Sequence, residues 1–415
     1  MIKTRFPAIL LAGVVTVCGL CGCGDGRAKQ PQGKPEVSGK GTVSLTLWGA
    51  EEDAALLDEL VAGFTARYAG EAEFDITVEY QGESNCKNAL FGVIDDGPDV
   101  FTFADDQLRV MVAAGVLAPV ENQAKVLADN IEAACEAASV NGVMYAYPMT
   151  ADNGYFLYYN KAYLSDEDVK TLDGILRVAA ANGKYFMMDW SSGWYLYSFF
   201  GETGLTVGLN PDGVSNACNW NAADTEITGV DVAKGMLAVA QSGALDAAGL
   251  FADKVKDGTA IAGVSGVWDS NLVAEIWGEN YGAAKLPTYT CGGKQVQMSS
   301  FAGYKMVGVN AYSEQGKWAQ KLAAYITSEE NQTLRFERRG QGPSNIRASA
   351  SEEIATAPAI KAILAQSEFS SLQSIAGSYW TPTQNFGELM AAGNPDGRSL
   401  QDILDEMVKG ITSLY

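Results

Sequence analysis

The sequence predicts an α/β protein of two lobes. Three observations predict it. Segments that alternate every two residues, as strands do, take turns with segments of helical spacing. That order builds layered folds with a largely parallel sheet. The chain has 415 residues, and roughly 370 remain once a leader and a tether are set aside, too many for one ordinary core. Apolar residues make up 47% of the chain, the usual share for a globular body.

The elements follow in order. Residues 43–48 alternate as a strand. Leu56, Leu57, Leu60, Val61, Phe64 and Tyr68 recur at helical spacing. Residues 75–80 alternate again. Residues 85–94 read as a helix, stopped by Gly97 and Pro98, and residues 99–103 as a short buried strand. Residues 108–114 are helical, with Gly115 placed for a left-handed cap. Ser165 and Asp168 have the spacing of a capping box before a helix to about residue 181. Residues 185–188 form a strand, and 231–241 a helix followed by Gly243. Residues 259–264 and 281–286 are strands, the latter ended by Pro287. Residues 315–326 are helical. Ser399 and Asp402 open the last helix, which runs to the C-terminus. There is no short-period repeat.

The N-terminus is basic at Lys3 and Arg5, then mostly apolar over residues 6–17. Such a start describes a secretory signal rather than a membrane span. Leu20-Cys21-Gly22-Cys23 resembles the bacterial lipobox. The resemblance implies removal of residues 1–22 and a lipid on Cys23. An ordinary signal with incidental cysteines is the plainer alternative. Residues 23–42, rich in Gly, Lys, Pro and Gln, read as a flexible tether. No later stretch has eighteen uninterrupted apolar residues. The body is expected on the extracellular face of the cell membrane, touching it through the lipid only.

The formal charge is −21. Losing Lys3 and Arg5 makes the mature chain more acidic still. This argues against nucleic acid and suits a monomer kept apart by self-repulsion. There is no histidine, which excludes imidazole-based catalysis and His-liganded zinc. No Cys-x-x-Cys pair is present, and neither metal nor cofactor is expected. Beyond the lipobox stand Cys86, Cys135, Cys218 and Cys291, for which three full connectivities exist. Cys218 and Cys291, both in polar, turn-rich stretches, are expected to form a disulfide. Free thiols are the alternative. Cys86 and Cys135 are a weaker pair.

The eight tryptophans are the main clue to function. Several stand at strand ends or turns, where open α/β sheets place ligands. Trp48 ends the first strand. Trp190 and Trp194 straddle residues 191–193. Trp268 follows Gly266, and Trp380 follows Gly377. An indole covers the apolar face of a sugar ring, while carboxylates and amides bind its hydroxyls. The plain alternative is that these rings are core, as expected for Trp277 and Trp318. Carboxylates cluster at Glu51, Glu52 and Asp53, at Asp95 and Asp96, and at Asp105 and Asp106. A carboxylate pair can serve a glycosidase, but it is more often a solvated turn. No phosphate loop, dinucleotide fingerprint, nucleophile elbow or EF-hand spacing occurs. The chain does not read as an enzyme.

Several segments, in shared order, resemble the extracellular solute-binding proteins of bacterial ABC importers, most closely the maltose/maltodextrin type. They are residues 96–100, 103–106, 141–148, 159–161, 266–268, 286–288 and 327–330, with Trp380. The resemblance implies a two-lobed periplasmic-binding-protein fold of type II, with hinge crossovers and a ligand cleft between the lobes. It implies a first lobe of residues 43–150 and 301–352, and a second of 151–300 and 353–415. It also implies a malto-oligosaccharide ligand and ABC permease subunits as partners. Phe103 and Asp106 match an aromatic and an aspartate that line the family's cleft. Asp152 or Asn153 falls near its cleft glutamate, with spacing one residue longer. Trp194 matches a stacking tyrosine, and Trp268 and Trp380 match stacking tryptophans. Glu52 matches an acidic contact. Trp48, Asp53, Asp105, Tyr155 and Trp190 complete the expected ligand-binding set. Three basic positions of the family are Asp53, Gln107 and Gln384 here, so the hydrogen-bonding rim is rebuilt around a retained aromatic floor. That favours a neutral saccharide. A xylo- or manno-oligosaccharide is the alternative ligand, and a surface glycan-degrading enzyme the alternative class.

Overall fold

A computed structural model describes residues 41–414. The leader, Cys23 and nearly all of the expected tether lie outside the described residues. Two five-stranded sheets organise the chain. In the first, the strand Thr42–Gly49 lies between Glu73–Tyr80 and Val100–Ala104, parallel to both. Lys305–Val309 then pairs antiparallel with Val100–Ala104 and with Ala146–Thr150. In the second, Leu245–Asp246, Tyr185–Met187 and Ala260–Ser265 run parallel. Phe156–Asn160 and Tyr281–Ala284 complete it in antiparallel register. Each sheet is therefore mixed, not largely parallel as expected. A parallel partner is made by a helical crossover within one lobe. Phe156–Asn160 and Lys305–Val309 instead arrive from the other lobe, and they enter reversed.

Those arrivals are the hinge. Residues 150–156 run from the first sheet to the second, and residues 302–305 return. The crossings are tied together: the Asn153 amide donates to Gly303 O at 3.2 Å, and the Ala151 amide to Gly342 O at 2.9 Å. Ser300–Ala302 pairs with Ser370–Leu372 beside them.

Each lobe has its own core. In the first, the helix Ala54–Tyr68 buries Leu56, Leu57, Leu60 and Phe64 along one face. Burying each such side chain contributes roughly 1.5–3 kcal/mol. Phe64 meets Phe74, Trp318 and Tyr325 edge-on. In the second lobe, Ile175, Phe186, Val232, Met236, Ile261 and Leu404 share a core. Trp277 is buried against Phe251.

Local boundaries differ where caps compete. Ser165 and Asp168 do form reciprocal bonds, at 2.6 Å between side chains, but they close a short turn. The helix Leu172–Ala181 starts later, on Thr171, whose side chain accepts from the Gly174 amide. The expected helix at 85–94 is one turn and a half, Cys86–Phe91, between 3-10 turns. The last helix, Leu400–Ile411, is capped by Ser399 as expected and stops short of the C-terminus.

The expected Cys218–Cys291 bridge is not present. Cys86, Cys135, Cys218 and Cys291 are all free. Cys218 ends one two-stranded ribbon and Cys291 ends a strand of another. Burial pushes the Cys218 thiol up to about 12 and raises Cys291 also, so the thiolates needed for exchange are scarce. Alkylation after unfolding without reductant should label all four. Mass spectrometry that finds a cross-linked pair among them would contradict the fold at those ribbons.

Candidate ligand cleft

The second lobe supplies an aromatic wall. The strand Ala260–Ser265 ends at Gly266, and Trp268 follows in a single turn. A side chain on Gly266 would lie 2.0 Å from the Trp268 ring, so only glycine lets the indole fold back over the turn. Trp194 sits on the short helix Gly193–Leu196. Its ring centre is 5.8 Å from that of Trp268, with planes 30° apart. Tyr155 supports it edge-on at 4.6 Å and donates its hydroxyl to Trp194 O at 2.7 Å. Trp380 opens the helix Trp380–Ala391, standing edge-on to Tyr379 at 5.1 Å. The Tyr379 hydroxyl donates to Gly193 O at 2.8 Å, joining that helix to the one carrying Trp194. All three indoles are half-buried, so each keeps surface for a ligand.

The first lobe supplies carboxylates from turns at strand ends. Glu52 and Asp106 are exposed there. Lys87, Gln107 and Gln373 surround Asp106. At the hinge, Asp152 is buried and accepts from the Gly342 amide, while its Oδ1 has no protein partner. Burial pushes Asp152 up to about 6. Asn153, half-buried beside it, shares with Gly303 and Tyr304 the lining of a cavity of about 240 Å³.

A buried charge network underlies the cleft. Asp53 binds Arg335 through one oxygen and Arg339 Nε through the other, at 2.8 Å. Burial alone would raise Asp53, but the Arg335 guanidinium and its hydrogen bond hold it below the usual range. Lys305 Nζ lies 2.6 Å from Glu83 Oε2. Burial would lower Lys305, and Glu83 outweighs it. The same ammonium stands 5.8 Å over the Trp268 ring, so it reaches from the first lobe to the second. Asn271 Nδ2 donates to Arg338 O at 3.2 Å, a second link between them.

Several expected ligand contacts are corrected by this geometry. Phe103 has no exposed surface and packs on Phe101 in the first core. Its strand is covered on both faces, so the ring cannot reach the cleft. Trp190 is equally enclosed, edge-on to Phe199. Tyr155 is buried behind Trp194. Asp53 has both oxygens committed to arginines. Asp105 accepts from the Tyr304 amide at 3.1 Å, and burial, with Asp106 adding to it, pushes it up to about 7. Trp48 is half-buried near the end of an interior strand, donating to Glu79 at 2.7 Å on the adjacent strand. The residues that sequence reasoning missed are Glu83, Lys305, Arg335 and Arg339. Lys305 left one signal, a lone charge opening an otherwise apolar strand. Among the described residues no group of three His, Cys, Asp or Glu could hold a metal ion, and no helix is long and apolar enough to cross a membrane.

Two lobes, paired crossings and an aromatic wall facing carboxylates define a hinged binding protein. Residues 59–362 match the bacterial extracellular solute-binding proteins, and the chain belongs to that family. It is 26% identical over 396 residues to a galactooligosaccharide-binding protein of Bacillus subtilis (strain 168), covering 90% of each chain. Among solved structures it is similar to a maltodextrin-binding protein of L. casei BL23 without ligand. That match has a TM-score of 0.75 and 26% identity, over 90% of this chain and 99% of that one. A maltotriose-bound protein of Thermus thermophilus shares the fold at 20% identity and a TM-score of 0.72, over 89% and 99%.

Two outcomes test the charge network. Asp53→Ala strands a buried guanidinium and should cost on the order of 3–5 kcal/mol in urea unfolding; an unchanged midpoint would contradict the ion pair. Asp105 and Asp152, with ordinary unfolded values of about 3.9, hold more protons folded than unfolded between about pH 4 and 7. Stability should therefore fall as pH rises through that window. Asp105→Asn should flatten the slope of melting temperature against pH.

Proposed function

We propose that this protein captures a malto-oligosaccharide outside the cell and delivers it to an ABC permease. The observation that carries this reading is the wall of Trp194 and Trp268, half-open, with ring centres 5.8 Å apart and planes tilted by 30°. Two adjacent indoles offer stacking faces for successive rings of a chain-like ligand. Trp380 extends the wall, and Glu52, Asp106 and Asp152 accept hydroxyl protons. The similarity to a maltodextrin-binding protein supports the choice of glucan. A second reading, a galacto-oligosaccharide, is supported by the name of the Bacillus subtilis relative.

The lobe boundaries 43–150 with 301–352, and 151–300 with 353–415, belong to the same proposal. So do the lipid on Cys23, a monomeric state and an outward-facing location. A ligand that touches both walls only when the lobes meet shifts the hinge toward closure, by as much as its affinity differs between the two states. The closed form is then what the permease receives.

Isothermal titration with maltotriose, longer glucans and galacto-oligosaccharides tests the proposal. Micromolar or tighter binding of a glucan, with compaction in small-angle scattering, is expected. Trp268→Ala should weaken it about ten- to a hundredfold, from the loss of one aromatic face. Tighter binding of galacto-oligosaccharides would move the assignment to the second reading. No heat with any of these sugars would overturn it.

A further inference from the structure

We infer that Lys305 and Glu83 form a donor–acceptor pair that reads two adjacent hydroxyls of the ring stacked on Trp268. The inference rests on the sugar-binding reading above and names what that site recognises. Neither residue belongs to the acidic rim or to the aromatic wall.

Lys305 comes from the strand Lys305–Val309 in the first sheet, and Glu83 from the turn Glu83–Asn85 after the strand Glu73–Tyr80. Gln107 holds that turn, donating to Glu83 O at 2.7 Å. The pair is largely enclosed, with side chains 13% and 7% exposed. The ammonium stands 5.8 Å from the centre of the Trp268 ring, near enough for its N–H groups to reach hydroxyls of a ring placed on that indole.

The hydrogen-bonding capacity is also incomplete. An ammonium has three donors, and among the described residues Lys305 Nζ is paired with Glu83 Oε2. Glu83 Oε1 is buried with no protein partner. A buried acceptor left unpaired is costly, and a ligand hydroxyl would recover that cost. A hydroxyl both donates and accepts. One hydroxyl can accept from Lys305 while its neighbour donates to Glu83 Oε1, a match that a vicinal diol makes and a single hydroxyl does not. The pair is neutral overall, which agrees with a neutral sugar. It also supplies the cationic donor that Asp53, Gln107 and Gln384 do not.

The test is a protein–ligand cycle. Lys305→Gln alone would strand Glu83, so the variant carries Lys305→Gln together with Glu83→Gln. Thermal melting first establishes that it folds. Wild type and variant are then titrated with maltotriose and with maltotrioses deoxygenated at a single C2 or C3. Wild type should lose on the order of ten- to a hundredfold with at least one analogue. The variant should lose a similar factor with maltotriose itself and nothing further with that analogue. A folded variant that binds maltotriose as wild type does, or that still penalises the analogue in full, overturns the inference alone. Wild type that binds no glucan overturns the reading of the site and this inference with it. If the double variant does not fold, Glu83→Gln alone is titrated in its place and is held to the same two outcomes.

Discussion

Asp53, 3% exposed, grips Arg335, 1% exposed, where the turn after the first strand meets the helix Glu329–Arg339. Much of the cleft depends on that contact. Taking both charges out of water is costly, and only close pairing with added hydrogen bonds offsets the cost. Those bonds are present: Arg335 also donates to Gln341 at 2.9 Å, and Arg339 takes the second oxygen of Asp53. The helix is thus fixed at its C-terminal end. That end touches the opposite lobe, where Arg338 O receives Asn271. At Gly340, whose φ is +69°, an added side chain would meet Ser270 Oγ at 2.3 Å. The turn bearing Trp268 therefore sits against a helix anchored by an ion pair in the first lobe.

The same network sets the electrostatics under the ligand. Asp53, Glu83 and Asp152 face Lys305, Arg335 and Arg339, so the charges nearly cancel at the base while the molecule as a whole stays strongly acidic. Such a base contributes little net stability, since apolar replacements of equal volume often fold as well. What it provides is orientation. Each charged group is held by a partner, and the atoms left over, Glu83 Oε1, Asp152 Oδ1 and Arg335 Nη2, are polar points a ligand can satisfy. Burial raises Asp105, with Asp106 adding to it, and raises Asp152 in spite of Lys305 and Arg335 nearby, an electrostatic cost of the kind that clusters at binding sites.

The sequence made the architecture legible because strands and helices carry their own periods. The helix Ala54–Tyr68 and the strands Thr42–Gly49 and Glu73–Tyr80 lie within a few residues of their expected places. The mixed pairing was not legible, because nothing in residues 305–309 says that the strand arrives from the other lobe. Trp194, Trp268 and Trp380 were identified by adjacent glycines and turns, which here keep an indole at the surface. Phe103 misled because a strand covered on both faces has no polar alternation to reveal its inward side, and Trp190 because the turn after the strand Tyr185–Met187 that carries it is covered by the second core. Asp53 and Glu52 are neighbours in one turn, and a rotation of about 120° decides which is bound to Arg335 and which meets solvent. Lys305 and Glu83 are far apart in the chain, so only the fold brings them together.

Crystals grown with maltotriose should show a glucose ring stacked on Trp268 between the lobes, a second ring against Trp194, and Lys305 Nζ within hydrogen-bonding distance of a hydroxyl. Maltotriose bound away from these indoles, in the cavity beside Asn153 for example, would contradict the proposed site. So would rings that turn their edges to Trp268.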